Sequence, residues 1–98
     1  MLYSSTATND SVTATLADSV AGYDALVICC ETYMTDDGNN ATGAVSVTYW
    51  NYKRSEFNVK LVFDEYTQCM ARFSGTVLKW SRTNSNSLYP RLILGLKL

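Results

Sequence analysis

The chain has 98 residues, 47% of them hydrophobic and 17% charged, with nine acidic and eight basic side chains and a net charge of -1. That length suits one domain with a modest core, and so small a net charge supplies no broad basic field for phosphate backbones, which argues against nucleic acid as a partner. Histidine is absent, which removes Ser-His-Asp and Cys-His nucleophile pairs along with the commonest general base and metal ligand.

Apolar residues recur with a period of two along most of the chain. In SVTATL, Val12, Ala14 and Leu16 oppose Ser11, Thr13 and Thr15. In ADSVAGYD, Asp18 or Ser19 suits a helix cap, and Gly22 limits the helix to a turn. ALVICCETYM is apolar on both faces at its start, with Leu26, Ile28 and Cys30 against Ala25, Val27 and Cys29. That pattern predicts a central strand covered on both sides. DDGNNATG reads as a loop, because Asp, Asn and Gly supply turn conformations.

AVSVTYWNY places Val45, Val47 and Tyr49 against Ser46, Thr48, Trp50 and Tyr52, and KRSE follows as a turn. FNVKLVF alternates again, Phe57, Val59, Leu61 and Phe63 against Asn58 and Lys60. QCMARFSGTVLKWSR is one long strand or two halves bent at Gly75. TNSNS is a polar loop, and the single Pro90 precedes a last apolar strand, LILGLKL. There Leu92, Leu94, Leu96 and Leu98 share one face against Arg91, Ile93, Gly95 and Lys97. One face can fill a core while Gly95 permits close approach by a neighbouring strand or subunit, and the chain is expected to end where the fold ends. Some seven short strands without linkers or repeats predict one all-β domain over residues 1–98, an antiparallel β-sandwich or jelly roll.

Signals for catalysis are weak. Asp36-Asp37 and Asp64-Glu65 read as solvated turn residues rather than a glycosidase pair. DDGNN lacks the spacing of a calcium loop, and no glycine-rich phosphate loop is present. The expectation is a non-enzyme without cofactor or metal. The three cysteines, Cys29, Cys30 and Cys69, read as reduced and buried, although a bridge from Cys69 to either of the others is compatible with the sequence. No apolar run of about 18 residues exists to insert into a membrane.

Aromatic side chains point to binding instead. Trp50 and Tyr52 fall on the polar face of their strand, where flat rings stack on sugars and Asn51 can reach hydroxyls. Trp80, beside Lys79, suggests more of the same surface. The candidate glycan platform is therefore Trp50, Asn51, Tyr52, Lys79 and Trp80. The competing assignment places these rings in a core or subunit interface.

Two stretches carry a family likeness. Leu2-Tyr3, then Thr15-Leu16, then Tyr23, Leu26 and Ile28 resemble the opening of C-terminal domains in bacteriophage tail-fibre and related receptor-binding proteins. The close, with Ile93, Gly95, Leu96 and Lys97, is similar to the ending of the same domains. The resemblance implies a homotrimeric β-domain on a virion tail, made in the bacterial host cytoplasm and binding a bacterial surface polysaccharide. The alternative is a structural unit for fibre trimerisation or for capsid or tail decoration.

Overall fold

A computed structural model describes residues 1–36 and 39–98, the side chains of residues 33–42 excepted. Eight strands form: β1 (Tyr3–Ser4), β2 (Ser11–Thr15), β3 (Ala25–Asp36), β4 (Asn39–Trp50), β5 (Glu56–Val62), β6 (Gln68–Ser74), β7 (Val77–Arg82) and β8 (Tyr89–Leu96). They make two four-stranded sheets, ordered β1-β8-β3-β4 and β2-β7-β6-β5, whose strand pairs are all antiparallel. The two sheets pack face to face as a β-sandwich, as the alternation predicts.

The alternating side chains account for the layering. From the first sheet Leu26, Ile28, Cys30 and Ile93 enter the core, and from the second Val59, Leu61, Cys69, Phe73, Leu78 and Trp80. Leu2, Leu16, Val20 and Leu88, from outside the sheets, complete it. Each large apolar side chain removed from water contributes about 1.5–3 kcal/mol before the entropy of ordering is subtracted. Phe57 stacks between Tyr49 and Phe73 at 5.0 Å on either side, joining the sheets through aromatic contact. Gly43 approaches Phe63 so closely that a Cβ there would fall 2.3 Å from the ring.

Local signals are met in several places. Ser19 caps a single 3-10 turn, Val20–Gly22, its hydroxyl accepting from the Ala21 N–H. Gly75 is the bend of the long QCMARFSGTVLKWSR stretch: it opens a two-residue hairpin turn between Ser74 and Val77 with φ +57°. Glycine at the first central position is what a type II′ turn requires.

Three expectations are corrected. The DDGNNATG loop is much shorter than read, because β3 continues to Asp36 and β4 begins at Asn39; Asp37 and the side chains around it lie outside the described residues. Antiparallel pairing outruns loop composition once two strands are in register. β3 is central within its sheet, between β8 and β4, but Val27 and Cys29 on its outer face are only half-buried. In β8 the core-facing residues are Pro90 and Ile93, while Leu92, Leu94 and Leu96 stand half-buried on the outside. The β3–β8 register decides this, since Ile93 pairs with inward Ile28 and Leu94 with outward Val27. Gly95 meets the ring of Tyr23, 2.3 Å from where a Cβ would sit.

Candidate functional site

The last outward residue of β4 is Trp50, which lies beside Ala25 of β3 in the pairing register. Immediately after it the chain reverses through Asn51-Tyr52-Lys53-Arg54, closed by the Arg54 N–H donating to the Asn51 carbonyl at 3.0 Å. Both central residues are left-handed, Tyr52 at φ 51° and Lys53 at φ 63°. Two positive φ values define a type I′ turn, which normally selects Asn-Gly. A non-glycine residue in that region costs roughly 1–2 kcal/mol.

Surrounding contacts hold the strained turn in place. The Tyr52 and Lys53 N–H groups donate to the carbonyls of Asp24 and Tyr23, at 2.9 and 3.0 Å. The Asn51 amide, fully buried, donates from Nδ2 to the Val20 carbonyl at 3.0 Å and to the Arg54 carbonyl at 3.4 Å. Arg54 donates from Nε to the Asn51 carbonyl and from Nη2 to the Tyr49 hydroxyl.

The outcome is an exposed pair of rings. Trp50 is 44% and Tyr52 72% exposed. Their centroids are 6.3 Å apart with planes inclined by 31°, within the usual range for interacting aromatics. Backbone hydrogen bonds fix the turn from which the Tyr52 ring projects beside Trp50.

The predicted platform therefore divides. Trp50 and Tyr52 come together at the surface. Asn51 does not reach it: fully buried, it is the clamp of the turn. Trp80 is also removed from the surface, 1% exposed and donating from Nε1 to the Leu88 carbonyl at 2.8 Å. Successive strand residues point to opposite faces, so Trp80 enters the core with Leu78 while Lys79 faces solvent. Lys79 is exposed on the second sheet, opposite Arg72 of β6, whereas the aromatic pair belongs to the first.

Sequence reasoning missed Lys53, Arg54 and the Asp24 carbonyl as parts of this arrangement. A Tyr-Lys dipeptide carries no signal for a type I′ turn. The alternation that opposes Trp80 to Lys79 was available and is the signal that separates them.

Among the described residues no three His, Cys, Asp or Glu side chains are grouped to hold a metal. Cys29, Cys30 and Cys69 are free thiols, Cys29 half-buried and the other two buried. Burial pushes the Cys30 thiol up to about 12, with neighbouring Cys29 and Glu31 adding to the shift. Cys69 is raised by burial and then by Cys30. Both shifts suppress the thiolate, which is the nucleophilic form.

On the outer face of the first sheet, Val27, Cys29, Leu92, Leu94 and Leu96 form an apolar strip. Trp50 borders it through Ala25, which pairs with Trp50 on one side and Leu96 on the other. A scan of protein-family models and a search of curated proteins find no match to the chain.

Proposed function

We propose that this protein is a non-enzymatic host-recognition module of a phage or prophage tail fibre, acting at the virion tail and holding a bacterial surface glycan on Trp50 and Tyr52. The observation that carries the reading is the strained turn that presents Tyr52 beside Trp50. Left-handed tyrosine and lysine persist only where surrounding contacts over-determine them, and such strain concentrates at binding and active sites. Flat rings projecting from a fixed turn suit the apolar faces of sugars.

The resemblance at the two ends of the chain gains support from their meeting: Tyr3 pairs with Ile93 across β1 and β8. The apolar strip of Val27, Leu92, Leu94 and Leu96 supports a homotrimer in which neighbouring copies cover it. Three weak sites on one rigid tip then engage a repetitive polysaccharide together. The same strip favours a second reading, a fibre-trimerisation or decoration unit whose aromatic pair is buried between copies.

Tryptophan emission separates the two, because Trp50 is exposed and Trp80, the second of two tryptophans, is shielded. Titrating the assembled protein with cell-wall polysaccharide is expected to change Trp50 emission, and W50A and Y52A are expected to lose binding while still assembling. Unchanged affinity in an assembled W50A protein overturns the platform. Sedimentation giving a stable monomer at micromolar concentration overturns the trimer.

A further inference from the structure

The outer face of the second sheet carries an arrangement that the aromatic site does not use. Strand register sets Asn58, Arg72 and Lys79 in one row across β5, β6 and β7. All three are exposed, so their side chains stand on the solvent side. They line an open depression of about 440 Å³, together with Glu56, Ser74 and Val77 of the next row and the buried Phe57 and Phe73. Directly opposed cross-strand side chains have Cβ atoms roughly 5 Å apart, and like charges in that relation repel.

Neither cation forms an ion pair among the described residues. The ion pairs there are Arg82 with Asp10 and Arg91 with Glu31, neither involving Arg72 or Lys79. Glu56, the acidic residue of the depression, accepts instead from the Ser74 hydroxyl at 3.4 Å. Lys60 extends the positive charge along β5, one outward position beyond Asn58 and opposite Met70. Three cations thus lie on three adjacent strands of a protein whose net charge is -1.

We propose that this face is a second binding site, for the phosphate or carboxylate groups of an acidic polysaccharide. Arg72 supplies a planar fork that grips two oxygens of one anionic group. Lys79 adds a mobile point charge to the same group, and the Asn58 amide donates beside it. Lys60 takes the next anionic group of an extended chain. The aromatic residues of the depression, Phe57 and Phe73, are buried and offer no exposed face on which unstacked bases could lie, which favours an acidic glycan over single-stranded nucleic acid. The site lies on the sheet opposite Trp50 and Tyr52, so each can fail without the other.

The test measures binding of the full chain to polyglycerol phosphate, polygalacturonate, neutral dextran and single-stranded DNA at low and physiological salt. Both acidic polysaccharides, or the one whose anionic group fits, are expected to bind more tightly than dextran. R72Q and K79Q should each weaken that binding roughly tenfold and flatten its salt dependence by about one charge. W50A should leave it unchanged. Because both substitutions relieve repulsion at exposed positions, the variants should melt no lower than the parent, and inorganic phosphate should raise the melting temperature of the parent but not of the double variant. Equal binding to dextran, unaltered binding in both variants, or tighter binding to DNA than to either acidic polysaccharide overturns the proposal.

Discussion

The buried Asn51 amide donates to the Val20 carbonyl at 3.0 Å, tying the turn that carries Tyr52 to the 3-10 turn between β2 and β3. One side chain thereby couples a core carbonyl to the most exposed aromatic of the candidate site. Asn51→Ala removes both donations, leaving the Arg54 carbonyl without this partner and the Val20 carbonyl with the Tyr23 N–H alone. Such a loss costs about 1–3 kcal/mol. Urea unfolding should show that loss, and glycan affinity should fall further because the Tyr52 ring is no longer fixed.

Lys53→Gly and Tyr52→Gly separate stability from binding. Glycine accepts positive φ without the Cβ clash, against an entropic cost of its own. Each substitution is expected to stabilise the fold by about 0.5–1 kcal/mol. Tyr52→Gly should abolish polysaccharide binding while Lys53→Gly retains it. A fall in melting temperature for both variants contradicts the assignment of strain to this turn.

Trp80→Phe deletes the hydrogen bond to the Leu88 carbonyl and opens a void in the core. The expected destabilisation is about 2–4 kcal/mol, measured by denaturant unfolding, with glycan affinity unchanged in the folded fraction. Loss of affinity at constant fold returns Trp80 to the binding site.

The cysteines make a pair of chemical predictions. A thiol reagent should label Cys29 in the native protein, and all three thiols only after unfolding. Stability should also fall in alkali. Burial raises the folded Cys30 and Cys69 thiols above their ordinary value near 9, so the unfolded chain releases those protons first. The contribution is fully present below pH 9 and is lost as pH climbs from 9 toward 12, by at most ~1.4 kcal/mol per pH unit for each thiol. A Cys30→Ala/Cys69→Ala protein, weaker at neutral pH, should lose less over that window in pH-dependent urea titrations.

The amino-acid order by itself determined the period of two and the inward faces of β2, β4 and β5, and it offered Ser19 beside Asp18 as a cap and Gly75 as a bend, of which the structure takes Ser19 and a hairpin turn. These follow from alternation and backbone preference, which are local properties. It also put Trp50 on the polar side of β4, where it is found, whereas Tyr52, read on the same strand, lies in the turn beyond it. Only the tertiary structure decided which face of β8 enters the core: the leucine face is the more apolar in sequence, yet pairing with β3 turns Ile93 inward instead. Tertiary contacts alone also hold Tyr52 and Lys53 left-handed against their local preference, with the carbonyls of Tyr23, Asp24 and Val20 as acceptors. The opposition of Arg72 to Lys79 is more local, because the two-residue turn at Gly75-Thr76 sets residue 72 opposite residue 79. Only the pairing of β5 with β6 adds Asn58 and Lys60 beside those two cations.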